Sequence, residues 1–249
     1  MSLCVTVGLQ SVDGSIMIIS GTTINGGRIV DGGVMPTGLV LYLDADSSSS
    51  YSGTGTTLND LSGNGYTHTL SNSNLYTNLD GVKCFNCSTT GIITAVSTTI
   101  QIPTNFTYIS WTRVRATTTG YRTLLRAYGT GGHPIIININ TNTLGMWENL
   151  PGQTDFNSSG YNMSAYGNVW AQWVTVGDAS GQTFYINGQQ VGSSVAKSCS
   201  GQYHYSWGNI SPATDQPWGY VANLELYNSK LSLEQIQQNY NGLKGRFGI

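Results

Sequence analysis

From Gly38 onward the chain alternates short apolar runs with turns of Gly, Ser, Asn and Asp. Leu39-Val40-Leu41-Tyr42-Leu43 runs into Asp44-Ala45-Asp46 and a run of serines. Residues Phe106 to Val114 alternate apolar with small or polar positions, and Ile135-Ile136-Ile137-Asn138-Ile139 follows Pro134. Each pattern predicts a strand, because side chains of a strand point alternately to its two faces. Further strands are expected at Trp170 to Val176, at Phe184-Tyr185-Ile186 and at Gly219 to Tyr227. Asn187-Gly188, placed before a return strand at Val191, predicts a two-residue hairpin, since both turn positions need positive φ. No helical period interrupts these strands, so the pattern implies an all-β, two-sheet sandwich.

One helix is predicted, at the end. Ser232 and Gln235 have capping-box spacing, Leu231 and Ile236 can close a hydrophobic staple, and Ile236, Tyr240 and Leu243 share one face. Phe247 and Ile249 in the tail imply that it is tied down.

The first 35 residues read differently. Leu3, Val5, Val7 and Leu9 alternate with polar or small residues, Val12 to Ser15 makes a turn, and an apolar run containing Ile16 and Ile18 follows. This predicts a β ribbon over residues 1–36, too small to be stable alone, whose apolar residues would serve as an assembly arm. Residues 37–249 form the main domain.

Only 9% of the 249 residues are charged and the net charge is -2, so nothing favours nucleic acid; four of the six arginines (Arg113, Arg115, Arg122, Arg126) do cluster. The start lacks a leader pattern and no run is long enough for a membrane span, so synthesis in a cytoplasm without membrane insertion is expected. Cys84 and Cys87 form a C-x-x-C with no second pair and no histidine cluster; the three histidines stand in separate segments, and buried free thiols are the plainer reading.

Four stretches, in order, resemble the laminin-G-like and concanavalin A-like jelly-roll family, in the form found in bacteriophage structural proteins. They are Asp60-Leu61-Ser62-Gly63-Asn64-Gly65, which looks like an early D-x-S-G-N-G turn; Phe106 to Trp111, like a strand ending in an inward tryptophan; Trp173 to Val176 with Phe184 to Gly188; and Gly219 through Ile236. The resemblance spans roughly residues 37 to 249.

The resemblance raises three kinds of site. Glucanases of similar fold need paired carboxylates, whereas the three glutamates Glu148, Glu225 and Glu234 are far apart and no G-x-S-x-G elbow occurs, so a non-enzyme is expected. Such modules often hold Ca2+ at a loop rim; Asp44 and Asp46, at i and i+2, could share a cation with Asp60, the plainer reading being a strand end and an Asx turn. Sugar binding needs exposed aromatics beside hydrogen-bonding groups, and Trp147 with Asn149, and Tyr205 and Trp218 in the segment from Tyr203 to Tyr220, have that composition. Those aromatics equally suit a core. No cofactor beyond a possible Ca2+ is implied.

Two functions follow as expectations. The first is a virion structural protein, a capsid decoration, cement or fibre-like surface protein, oligomeric and attached to capsid or other virion proteins through its arm. The second is a lectin-like receptor-recognition domain of a phage tail or fibre that binds a host-surface glycan.

Overall fold

The computed structural model describes residues 28–30, 33–116, 120–129, 131–150, 153–210 and 216–249. In chain order the strands begin with β1 (Arg28–Val30), β2 (Gly33–Met35), β3 (Leu39–Asp44), β4 (Thr57–Asn59), β5 (Thr67–Leu70), β6 (Tyr76–Leu79), β7 (Val82–Cys87) and β8 (Ile93–Ala95). They continue with β9 (Phe106–Val114), β10 (Tyr121–Ala127), β11 (His133–Asn138), β12 (Thr143–Leu150) and β13 (Gln153–Asn162). The last are β14 (Trp170–Asp178), β15 (Gly181–Ile186), β16 (Gln189–Val195), β17 (His204–Trp207) and β18 (Gly219–Tyr227), before helix α1 (Leu233–Leu243).

Two large antiparallel sheets result. An open sheet runs β13-β12-β11-β10-β17-β8-β5-β4; the other runs β16-β15-β14-β9-β18-β7-β6, with β3 also paired to β18. Among the described residues β1 and β2 pair only with each other, and β2 runs beside α1. The assembly-arm residues Leu3, Val5, Val7, Leu9, Ile16 and Ile18 lie outside the described residues. Among the described residues no helix is long and apolar enough to cross a membrane.

The main core lies between the sheets and includes Leu41, Phe85, Phe106, Tyr108, Trp173, Phe184, Trp207, Trp218, Leu224 and Leu226. The second sheet is covered on its outer side as well, by α1 and the tail. Ile109, Val174, Tyr227, Leu231 and Ile236 form one cluster there, and Trp111, Trp170, Ala222, Leu243 and Phe247 another. Strand β9 is therefore buried on both faces. The expected inward tryptophan is corrected here: Trp111 points out of the sandwich, stacked on Phe247 at 4.2 Å and on Tyr240 at 5.7 Å.

Local signals form as their chemistry dictates. Asn187 and Gly188 take φ of 51° and 74°, the left-handed pair that a tight hairpin requires. Both halves of the capping box form: Gln235 N–H donates to Ser232 Oγ at 3.2 Å, and Ser232 N–H donates to Gln235 Oε1 at 2.9 Å. Asp60 makes the turn with Ser62, whose N–H it accepts at 2.8 Å, and holds β3 by accepting Tyr42 N–H at 2.9 Å. Cys84, Cys87 and Cys199 are free and buried; burial pushes the Cys84 thiol up to about 12 and the other two higher.

Candidate functional site

The outer face of the open sheet carries a ladder of aromatic and polar side chains. Register places His133 opposite Trp147 and Trp147 opposite Phe156, so the three share a face, as do Thr123 with Ile136 and Asn149 with Thr154. Tyr121, at the start of β10, meets Trp147 edge-on at 5.3 Å and lies 6.0 Å from Phe156. Phe156 can lie there because β12 has Gly145 beneath it; a Cβ at that position would come within 2.9 Å of the ring.

A chain of hydrogen bonds fixes this face. Trp147 Nε1–H donates to Asn149 Oδ1 at 2.7 Å, and Asn149 Nδ2 donates to the carbonyl of Gly131 at 2.9 Å while standing 3.5 Å from His133 Nε2. Thr123 Oγ1 gives its hydrogen to Gln216 Oε1 at 2.6 Å, so it accepts from His133 Nδ1 at 2.9 Å. That assigns the proton of the neutral ring to Nδ1 and leaves Nε2 as an acceptor toward Asn149. Burial, with Arg126 adding to it, lowers His133 to about 3, so the network keeps one protonation state at neutral and mildly acidic pH. The backbone of Gln216 is held in turn by Asn209 Oδ1 at 2.9 Å.

Trp147 and Asn149 are thus brought together as the sequence suggested. Tyr205 lies three strands along the same sheet, with Arg126 5.9 Å from its ring and Tyr128 edge-on at 5.6 Å. Trp218 is a correction. It is wholly buried between the sheets, T-shaped on Trp173 at 4.9 Å, with its Nε1–H donated to Thr112 Oγ1 at 2.7 Å, so it offers no ring to a ligand. Tyr121, Thr123, Phe156 and Gln216 belong to this face without forming any motif in the sequence, and His133, a histidine isolated in its own segment, joins them.

The three aspartates are corrected as well. Both oxygens of Asp44 are held at 2.7 Å by the guanidinium of Arg246, and Tyr42 OH donates to it at 2.8 Å. Asp46 pairs with Lys83 at 2.8 Å, and Asp60 is occupied in its Asx turn. The cation at Asp44 is an arginine of the tail, and among the described residues no cluster of His, Cys, Asp and Glu is arranged to hold a metal ion.

The glutamates are also placed. Glu148 and Asp155 stand opposite each other in the β12–β13 ladder, and Lys197 Nζ lies 2.9 Å from Glu148 Oε2. Glu225 is buried under α1, accepting from Tyr227 OH at 2.6 Å and Asn239 Nδ2 at 2.9 Å; burial raises its carboxyl to about 7. A separate open cleft of about 600 Å³ lies at the edge of the helix-covered sheet, where Lys230 and Asp178 pair at 2.6 Å beside Ser180, Gln182 and Tyr185. With one aromatic in its lining, this cleft suits a sugar ring less well than the Trp147 face.

Solved structures that share the fold include the following three. Trypanosoma rangeli sialidase is 17% identical with a TM-score of 0.56, over 85% of this chain and 34% of the sialidase; the chain thus spans about a third of that protein. The binding domain of botulinum neurotoxin serotype D is 15% identical with a TM-score of 0.60, over 82% of this chain and 52% of that one. Domain 4 of AbnA, an extracellular arabinanase from Geobacillus stearothermophilus solved with arabinotriose, is 14% identical with a TM-score of 0.58, over 80% of this chain and 97% of the domain. At such identities the likeness is one of fold. No curated protein sequence matches the chain. Residues 87–237, more than half of the chain, match a laminin-G model of the Concanavalin A-like lectin/glucanases superfamily, and to that superfamily the chain belongs.

Proposed function

We propose that the protein is a non-enzymatic carbohydrate-binding module that holds a sugar on the outer face of the open sheet, stacked on Trp147. The carrying observation is the fixed orientation of that half-buried indole, whose N–H is taken by Asn149 while Tyr121 and Phe156 flank it. A pyranose or furanose has an apolar C–H face and a rim of hydroxyls; the indole suits the first, and the amides of Asn149 and Gln216 suit the second. The arabinanase domain, solved with arabinotriose, supports an oligosaccharide as the class of ligand.

The paired arrangement of Glu148 with Lys197 and the burial of Glu225 support a role without hydrolysis, since acid and nucleophile would have to face one another across an open cleft. Polysaccharide turnover that Glu148→Gln abolishes would contradict this. The test of binding is a glycan-array screen followed by titration of wild type and Trp147→Ala. Loss of a buried-face aromatic anchor costs about 2 kcal/mol, or roughly 30-fold in affinity. Unchanged binding would overturn the site.

A virion address for the module rests on residues 1–36. Its support is that β1 and β2 join neither large sheet, as an arm would. Deleting residues 1–36 should abolish incorporation into particles and leave glycan binding intact; incorporation of the deleted form would sink the arm.

A further inference from the structure

Among the described residues two aromatic side chains are exposed, Tyr128 at 50% and Tyr203 at 44%, and they stand together. Tyr128 N–H donates to the carbonyl of Tyr203 at 2.7 Å, and the ring of Tyr128 meets that of Tyr205 edge-on at 5.6 Å. Tyr205 faces out of the sandwich, because its neighbour His204 points inward to Tyr108 of the core and successive strand side chains alternate. Arg126, set between the core residues Leu125 and Ala127, faces outward too. Its guanidinium, 5.9 Å from the Tyr205 ring, is fixed by the carbonyls of Gly129 at 3.0 Å and Ile210 at 3.4 Å. The tyrosine rings are thus held in place before any ligand arrives.

A string of contacts joins this platform to the Trp147 face. The turn after β10 closes with Gly131 N–H donated to the carbonyl of Tyr128 at 3.0 Å. The carbonyl of the same Gly131 accepts from Asn149 Nδ2 at 2.9 Å, and Asn149 Oδ1 holds the indole N–H of Trp147. Trp147 faces outward, its neighbour Met146 being in the core. β12, β11, β10 and β17 are consecutive in the open sheet, so Trp147 and Tyr205 stand three strand spacings apart, about 14 Å. Each ring of a glycan chain advances by about one such spacing, so roughly four rings in a row cover both.

We infer that Tyr128, Tyr203 and Tyr205 form a second aromatic subsite, and that the ligand is an extended glycan chain lying across the strands, one ring on Trp147 and another on the tyrosines. The inference rests on the carbohydrate-binding reading and names its ligand, a chain of roughly four rings or more rather than a mono- or disaccharide. Aromatic faces stack on the apolar sides of the rings and leave the hydroxyl rims free. Arg126, spent on two carbonyls, supports the platform, so the chain is a neutral one.

The test is calorimetric titration of the full chain with two neutral length series, linear arabino-oligosaccharides and cello-oligosaccharides, from disaccharide to hexasaccharide. In the series that binds, the tetrasaccharide should bind about tenfold or more tighter than the disaccharide, because the second contact is made by a ring already tethered to the first. Tyr128→Ala and Tyr205→Ala should each cut tetrasaccharide affinity about tenfold, flattening the series. Tyr128 lies on an exposed turn, so its variant keeps the test decisive should Tyr205→Ala fail to fold. Trp147→Ala should weaken every length.

Equal affinity for disaccharide and hexasaccharide, both lost in Trp147→Ala, would overturn the second subsite and leave the Trp147 site standing. A length step that survives both tyrosine variants would do the same. Length dependence untouched by Trp147→Ala would remove the Trp147 site and with it the span between the platforms. No binding in either series would remove the sugar reading and the subsite together.

Discussion

All three histidines of the chain are buried in the open sheet, and acid should therefore loosen it. His68 and His204 are 0% and 1% exposed with ring centroids 5.4 Å apart, and His133 is 5% exposed. Neither nitrogen of His68 has a partner, and His204 has only Tyr108 OH at 3.1 Å. Burial lowers His68 and His133 from 6.5 to about 3 and His204 well below 6.5. A folded-state pKa below the unfolded one means that the unfolded chain takes up protons first, so stability is present above pH 6.5 and falls as the pH drops below it. Between pH 7 and 5 each histidine costs about 2 kcal/mol, about 6 kcal/mol together.

Glu225 opposes this trend. Its carboxyl is raised from 4.5 to about 7, so it penalises the folded state as pH rises from 4.5 through 7, and acidification to pH 5 recovers about 2 kcal/mol. Wild type should then lose about 4 kcal/mol between pH 7 and 5, and Glu225→Gln about 6 kcal/mol. Urea unfolding at both pH values measures it; with a slope of about 3 kcal/mol per molar, the midpoints should fall by about 1.3 M and 2 M respectively. Equal midpoints at pH 7 and 5, or the same pH dependence in the two proteins, would refute the reasoning.

Two further outcomes are expected. Arg246→Ala leaves the buried Asp44 carboxylate with Tyr42 OH and no cation, and should cost about 3–5 kcal/mol in chemical unfolding, while an exposed-pair value below 1 kcal/mol would deny the tail its anchoring role. Gly145→Ala places a Cβ 2.2 Å from Asn157 O and 2.9 Å from the Phe156 ring, so it should shift β13 and weaken sugar binding; titration showing wild-type affinity would remove Phe156 from the site.

Features whose causes are local could be read from the sequence. The Asn187-Gly188 hairpin, the Ser232/Gln235 box and the i,i+2 pair Trp147 and Asn149 each depend on neighbours within a few residues. The inward orientation expected for Trp111 fails because β9 is covered on both sides. Phe106, Tyr108 and Ser110 alternate with Thr107, Ile109 and Trp111, and neither set reveals whether it meets the opposite sheet or the helix.

Long-range partners were illegible for a different reason. Arg246 reaches Asp44 across 202 residues, and no spacing rule connects them. His68 and His204 meet only because β5 and β17 both pair with β8. The aromatic residues posed a question of exposure, which identity does not answer: Trp147 lies half-buried on an outer face and Trp218 at the centre of the sandwich.

The most direct measurement of the central claim is a residue-resolved NMR map of the full chain titrated with an oligosaccharide that it binds. The largest shifts should fall on the indole N–H of Trp147, the side-chain amide of Asn149 and the backbone of Tyr121, within one sheet face. Shifts gathered instead on the cleft beside Asp178, Tyr185 and Lys230 would contradict the account.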